Sequence, residues 1–281
     1  MLEAILAAIF SSGGDVTTKS ILGQLKVGFK NYLPLCFLML AIISLLFVPA
    51  GFYFHAPQAF SVSSIIISII MILAAVTYNV LLAQSLETEP LHEYEVIVLL
   101  SPLITVILAG IFLPAERNLF TFLIGIVASV VLVASRFHED HFVVSMAAKR
   151  TMLAVVLIGI EAVCTKILLE FYSPALFYFL RVTILTIIFI ICYKPDFSIL
   201  KKISVLKIFI LSSFCGVATM VLRYYAYKNI GLVPTTIILL LAPMLTYFAS
   251  YFYFQERRNF RRDLICAIAI TACIIVTLVY K

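Results

Sequence analysis

The stretch LLSPLITVILAGIFLPAERNLF occupies residues 99–120, and a related stretch, LLAPMLTYFASYFYFQERRNF, occupies residues 240–260. Each has a small residue and a proline early in an apolar run, a threonine three residues after the proline, and a Glu-Arg pair near its end. The two Glu-Arg pairs begin 256 − 116 = 140 residues apart, about half of the chain. Matched features at this spacing indicate an internal duplication.

The composition predicts an integral membrane protein. The chain has 281 residues, of which 64% are hydrophobic and 12% charged, and its mean hydropathy is +1.16. Soluble domains carry roughly 25% charged residues. Many apolar runs reach about 18 residues, the length that crosses ~30 Å of hydrocarbon. Because these runs lack the alternation of a membrane β-barrel, we predict an all-α fold.

The net charge of +6 and the pI near 9 do not predict a nucleic-acid partner. Basic residues beside membrane spans usually anchor and orient them. The six cysteines lie in apolar runs without metal-ligand spacing and are expected to be small buried hydrophobes. The N-terminus has no basic segment before its apolar residues, so we do not expect a removed signal peptide.

Span length predicts about ten transmembrane helices in two inverted repeats of five. The polar sequence RFHEDH at 136–141 separates the expected repeats, 1–140 and 145–281. An odd number of spans per repeat makes the second repeat enter the membrane from the opposite side, as in many secondary transporters. The predicted spans are about 2–22, 32–51, 62–86, 96–114, 119–135, 152–169, 175–193, 205–227, 233–254 and 264–280.

Lysine and arginine are unevenly distributed between the two sets of predicted loops. The loops after spans one, five, seven and nine hold most of them, whereas the opposite face offers mainly Arg117 and Lys228. By the positive-inside rule the basic loops are cytoplasmic. We therefore expect a multi-pass protein of the plasma membrane with both termini outside.

The features that close each half resemble a known family. A proline-containing apolar helix, a Glu-Arg turn and a further apolar helix resemble the ten-helix EamA type of the drug/metabolite transporter superfamily. The resemblance is clearest over 223–281, good over 99–135 and weaker over the first three spans, where a longer acidic link, 87–95, replaces a short turn. It implies a carrier with a central cavity between the halves. The superfamily handles amino acids, metabolites, nucleotide sugars and drugs, so the substrate stays open.

Two acidic residues lie inside predicted spans, each near a basic residue. Asp15 and Lys19 are one helical turn apart, and either charge at mid-membrane costs roughly 2.5 to 3.5 kcal/mol. They are either cavity residues or a structural pair. Glu161, five residues before Lys166, is a candidate for proton coupling, because a carboxyl in low-dielectric surroundings takes up a proton more readily. The alternative for Glu161 is a hydrogen bond between helices.

Asp15 and Glu161 occupy matched places in the two halves, 161 − 15 = 146 residues apart. Inverted repeats bring matched positions together near the midplane. We therefore expect both carboxylates to face the cavity between the repeats, with Lys19 beside Asp15.

Other polar residues have both a binding and a structural interpretation. Arg181 is similar to an arginine in the family's helices; it and Glu170 could hold an anionic group, although an interface ion pair is the favoured interpretation. Pro102 and Pro243 are candidate helix breaks of the kind that transporter sites use, or tolerated kinks. The remaining candidates, which could equally belong to an interfacial aromatic belt, are Tyr78, Asn79, Tyr224 and Tyr225.

We expect no metal and no cofactor. Two loop clusters, at 92–95 and 138–141, contain His and acidic residues but no motif spacing. The function predicted is therefore a secondary transporter, not an enzyme, that moves a small organic metabolite or drug across the bilayer by alternating access as a monomer or homodimer. Proton coupling and the direction, including export, stay open. The alternatives are a membrane-embedded enzyme that uses one of the His/acidic clusters, and a non-transporting scaffold.

Overall fold

The computed structural model of the protein describes residues 1–24, 27–49, 56–88, 97–134 and 146–246, together with 268–269, 271–273 and 276. In these residues we name nine helices in chain order. They are α1 (Leu2–Gln24), α2 (Phe29–Leu45), α3 (Val62–Thr88), α4 (Ser101–Phe112), α5 (Leu119–Ala134), α6 (Met146–Leu168), α7 (Pro174–Tyr193), α8 (Ile203–Ile230) and α9 (Leu232–Leu239). A helical turn, Ala56–Ala59, precedes α3, and 3-10 turns lie at Pro114–Glu116 and Phe197–Lys201.

The helices have the length and composition of membrane spans. Four of the named helices, α3, α6, α7 and α8, each contain an apolar segment of 20 to 28 residues, and the mean hydropathy of these segments is 2.0 to 2.6. Shorter apolar helices occur at Phe29–Leu45, Ser101–Phe112 and Leu232–Thr246. Each of the first eight predicted spans corresponds to one helix. The described residues of the ninth form α9 and the helical residues 241–246, and those of the tenth are helical. The predicted all-α membrane fold is confirmed.

Helix pairing in the bundle crosses between the halves. α1 packs along α8, α3 along α6, α2 along α7, and α4 against α5, α6 and α9. Small residues allow two of these approaches. A Cβ on Gly13 would lie 3.5 Å from Cys215 Sγ, and one on Gly159 would lie 2.9 Å from Leu108 Cδ1. These close approaches hold α1 against α8 and α6 against α4.

Both candidate helix-break prolines follow an interruption in their helix. Turn geometry at 99–100 precedes α4, and turn geometry at Leu240 separates α9 from the helical residues 241–246. Leu100 N and Leu240 N each donate to a carbonyl three residues earlier, at 3.0 and 3.2 Å. A proline has no N–H, and its ring displaces the carbonyl four residues before it, which explains turns just ahead of Pro102 and Pro243.

The first Glu-Arg turn caps its own helix with the arginine. Arg117 Nε donates to Gly110 O at 3.0 Å and Arg117 Nη2 donates to Ile111 O at 2.8 Å. These carbonyls belong to the last turn of α4, which has no intrahelical donors for them. A cation at this end also interacts favourably with the helix dipole.

The glutamate of the same turn caps a helix of the other half. Glu116 Oε1 accepts from Leu232 N at 2.7 Å, and Glu116 Oε2 accepts from Val233 N at 3.2 Å. Gly231, which precedes α9, has φ of +100°, and a Cβ there would lie 2.8 Å from both carboxylate oxygens. The turn therefore joins the α4–α5 connection to the start of α9. The second Glu-Arg turn, at 256–257, lies outside the described residues.

Candidate functional site

A buried ion pair joins α6 to α7. Arg181 Nε lies 3.0 Å from Glu161 Oε1, and the side chains of Arg181 and Glu161 are 3% and 11% exposed. Arg181 Nε makes no hydrogen bond to the carboxylate oxygen despite this short distance, so the contact is an ion pair without a hydrogen bond. Charges are almost never buried in a protein unless they are paired in this way.

Hydroxyl groups from three helices also contact the ion pair. Arg181 Nη2 donates to Tyr78 Oη at 2.8 Å. Thr165 Oγ1 donates to Glu161 Oε1 at 3.1 Å, and Tyr224 Oη approaches the same oxygen at 3.5 Å. Tyr78, Thr165 and Tyr224 are 9%, 0% and 2% exposed. The network thus ties α3, α6, α7 and α8 together; we call it the polar centre.

Aromatic rings enclose the polar centre on the α7 and α8 side. The ring of Tyr224 lies 5.7 Å from Phe177, 6.0 Å from Tyr178 and 6.2 Å from Tyr227, measured between centroids. Tyr178 and Tyr227 are 2% and 4% exposed. Because these rings pack against one another, the charges are separated from solvent in this conformation.

The polar centre lies in the half of α6, α7 and α8 that is nearer the link between α6 and α7. Glu161, Arg181 and Tyr224 are six or seven positions from the ends of their helices at that link, since 168 − 161 and 181 − 174 each give 7 and 230 − 224 gives 6. At 1.5 Å per residue this is a depth of about 10 Å. The nearer end is the one where the link between α6 and α7 lies, and we call it the link side. Glu161 is four residues from the middle of α6, since 161 − 157 = 4, and lies in the half of the helix nearer the link.

Two interpretations of the sequence are wrong. The predicted interface pair of Arg181 with Glu170 does not form, because Arg181 is two turns inside α7 and pairs with Glu161, while Glu170 is exposed in the link. Tyr78 and Tyr224 do not form an interfacial belt, because their hydroxyls face the buried charges.

Three other candidates make contacts with the backbone or the apolar core. Lys166 Nζ donates to Tyr227 O at 2.5 Å, so the lysine supplies a hydrogen-bond donor to a carbonyl near the C-terminal end of α8. Asn79 Nδ2 donates to Ala75 O of its own helix at 2.7 Å. Tyr225 is partly buried against the main apolar core. These contacts support structural roles for all three residues.

Asp15 is exposed and lies at a different depth from Glu161. Thr246 Oγ1 donates to Asp15 Oδ2 at a long 3.4 Å, so Asp15 is adjacent to the helical residues that follow the break in α9. α1 runs antiparallel to α8, since Asn229 of α8 contacts Glu3 of α1. Asp15 is therefore 15 − 2 = 13 residues, about 20 Å, from the link side. The side chain of Lys19 lies outside the described part, so its pairing with Asp15 stays a prediction.

Sequence reasoning missed two polar residues in α8. Arg223 is half-buried, and its Nε is buried without a hydrogen-bond partner among the described residues. Thr219, one helical turn earlier, is 5% exposed, and its Oγ1 is likewise without a partner in that part of the chain. The signal was present, because Arg223 is an arginine seven positions inside a 28-residue apolar helix.

The predicted loop clusters at 92–95 and 138–141 lie outside the described residues. Within the residues that are described, no group of three or more His, Cys, Asp or Glu side chains could hold a metal ion.

The fold and the buried polar centre define a multi-pass helical membrane protein with charged groups inside its bundle. Residues 146–278 match the model of the EamA-like transporter family. The predicted resemblance to this family is thereby confirmed, and the match includes Glu161, Arg181 and Tyr224.

Similarity to solved structures extends over nearly the whole chain. One protein crystal structure aligns with a TM-score of 0.74 at 16% sequence identity. The alignment covers 99% of this chain and 96% of the chain in that crystal structure. At this identity the similarity shows the fold alone. No curated protein matches the sequence significantly.

Proposed function

We propose that the protein is a secondary carrier that moves a small organic metabolite or drug across the membrane by alternating access. The observation that carries the proposal is the polar centre, in which Glu161 and Arg181 are buried among four membrane-spanning helices. Ionisable residues inside a membrane are costly and usually mark a substrate or ion pathway. The match of residues 146–278 to a transporter family supports the same function.

The packing supports two inverted repeats, 1–140 and 145–281. Exchanging the halves pairs α1 with α6, α2 with α7, α3 with α8 and α4 with α9. This exchange maps the α1–α8 contact onto the α6–α3 contact, and maps the α2–α7 and α4–α9 contacts onto themselves. With five spans per half, the axis of the exchange lies in the membrane plane. An experimental structure with the halves related by an axis along the membrane normal would contradict this arrangement.

The unequal exposure of the two carboxylates supports alternating access. Asp15 is exposed, whereas the polar centre is closed by packed tyrosines. In the proposed cycle this conformation is closed on the link side, and the exposed Asp15 is assigned to the route from the opposite side. In the proposed cycle, α7 and α8 separate at the tyrosines to open the link side. By the lysine and arginine asymmetry, the link side faces the exterior of the cell.

Glu161 is the proposed proton site. A proton on Glu161 would neutralise it and leave Arg181 without its ion-pair partner. Since an unpaired buried arginine is unfavourable, the polar centre would then open, or Arg181 would take an anionic group of the substrate. Proton binding and opening are coupled in this way, because both depend on the same 3.0 Å contact.

Uptake and counterflow in liposomes with an imposed pH gradient test the proposal. We suggest a panel of the radiolabelled amino acids and a fluorescent cationic dye as probes. Glu161→Gln should keep counterflow but lose gradient-driven accumulation, because the amide cannot titrate. The exposed Glu170→Gln is the matched control and should behave as wild type.

The alternatives give different results in the same system. Gradient-driven uptake that survives unchanged in Glu161→Gln would remove the proton role. A well-folded protein with no flux of any probe would favour the scaffold, and catalytic turnover abolished by chelation would favour the enzyme.

A further inference from the structure

One face of α8 carries two buried polar atoms that have no hydrogen-bond partner in the part of the chain that the structure describes. Ser212, Thr219 and Arg223 are spaced 7 and 4 residues apart, so they lie on one side of the helix. Ser212 Oγ lies 3.5 Å from Thr18 Oγ1 of α1, so this side of α8 faces the bundle at that level. Thr219 Oγ1 and Arg223 Nε are both buried and have no hydrogen-bond partner among the described residues. Native proteins leave few such groups unpaired, and each one calls for an explanation.

Among the described residues, Arg223 has no oppositely charged partner. It lies 230 − 223 = 7 residues from the end of α8, about the depth of the polar centre. Within the described residues Arg223 takes part in no ion pair, and Glu161 is already paired with Arg181. Because Glu161 and Arg181 cancel, Arg223 contributes an unpaired positive charge at this level of α8, counted over the described residues.

Arg223 lies on α8 close to the tyrosines that enclose the polar centre. Tyr227 follows Arg223 by one helical turn, and its ring is stacked at 28° and 6.2 Å on that of Tyr224. Tyr224 Oη in turn approaches Glu161 Oε1. A solute held by Arg223 would therefore lie within one helical turn of these two tyrosines on α8.

We propose that Arg223 and Thr219 form a subsite for an oxyanion, a carboxylate or a phosphate, carried by the transported solute. This inference rests on the proposed carrier function and names its substrate class. A guanidinium can bind a carboxylate or phosphate with two parallel N–H bonds, and the Thr219 hydroxyl can donate a further one. A monoanion would also cancel the unpaired charge, so that the loaded carrier would reorient without moving net charge at this level.

Binding to the purified protein tests the subsite without requiring transport. The protein is placed in nanodiscs of phosphatidylcholine, and its thermal stability is titrated with pairs of probes that differ in the oxyanion. The pairs are benzoate with benzamide, N-acetyl-L-phenylalanine with N-acetyl-L-phenylalaninamide, and glycerol 3-phosphate with glycerol. We expect at least one oxyanion to bind about tenfold to 100-fold more tightly than its neutral partner, as charge-assisted hydrogen bonds provide.

Variants assign that binding to the subsite. Arg223→Gln should abolish the preference, Arg223→Lys should retain part of it, and Thr219→Val should weaken oxyanion binding by about fivefold. Lys228→Gln is the control, since Lys228 is an exposed lysine on the same helix, and should change nothing. Should Arg223→Gln fail to fold, Arg223→Lys and Thr219→Val still decide the matter.

Four outcomes would overturn the inference. They are equal binding of the neutral partners, no binding of any oxyanion, an unchanged preference in all three subsite variants, and competition by phosphatidylglycerol. The last would place a lipid headgroup at Arg223. Flux of neutral solutes without oxyanion binding would end this inference but leave the carrier proposal standing. Oxyanion binding without any flux would contradict the carrier proposal but leave the oxyanion subsite standing.

Discussion

Replacing Glu116 by alanine removes the acceptor for two N–H groups at the start of α9. Leu232 and Val233 are 0% and 1% exposed, so water cannot take the place of the carboxylate unless the helix end opens. An unsatisfied buried polar group costs about 1–3 kcal/mol, and loss of an N-cap typically costs about 1 kcal/mol. With two bonds lost and partial relaxation of the helix end, we expect a destabilisation of about 2–4 kcal/mol.

Unfolding in mixed micelles, followed by far-UV circular dichroism, measures this loss. Gly231→Ala should give a related loss by an independent route, because its Cβ would lie 2.8 Å from both Glu116 oxygens and its φ is +100°. Glu170→Ala, at an exposed position, should change the free energy of unfolding by less than about 0.5 kcal/mol. Hydrogen exchange at Leu232 and Val233 should become faster only in the first two variants. A Glu116→Ala protein as stable as Glu170→Ala would refute the cap.

Two further predictions concern the side that carries the basic loops. A cysteine at Lys201, in a background without the native cysteines, should react with a membrane-impermeant maleimide only after the cells are opened; labelling of intact cells would reverse the orientation. At Asp196 the hydroxyl and backbone N–H of Ser198 donate to the carboxylate and lower its pKa. The stability that wild type has over Asp196→Ala should therefore be present above about pH 4, the unfolded value, and disappear as the pH falls through the lowered pKa. Thermal unfolding between pH 2.5 and 7 measures it, and a difference that grows on acidification would show the opposite sign.

The helices were predictable because an apolar run of about 20 residues has few alternatives to a membrane helix. Glu161 and Arg181 were recognisable as site candidates for the related reason that charges in such runs are unfavourable. Their pairing was not predicted, since hydropathy does not give the rotation of one helix against another. Helix rise alone argues against the Glu170 pairing, because seven residues of α7 place Arg181 about 10 Å from the link.

The role of Glu116 depends on a contact that sequence patterns do not contain. Its partner Leu232 is 116 residues away, and only the folded bundle brings the α4–α5 turn to the start of α9. Arg223 was overlooked for a different reason. It stands next to Tyr224 and Tyr225 near the end of its span, where an arginine is expected to reach the interface, although its distance from that end equals that of Arg181 from the start of α7.

The depth of the polar centre has a consequence for the response to membrane voltage. The Glu161–Arg181 pair is neutral, so its movement as a unit feels little force from the field. A proton that reaches Glu161 from the link side crosses about a third of the potential, and on leaving to the other side it crosses about two thirds. At 2.3 kcal/mol per charge per 100 mV, these steps correspond to about 0.8 and 1.5 kcal/mol. In a proton-coupled cycle, the exchange of the proton with the far side would therefore be the more voltage-dependent step.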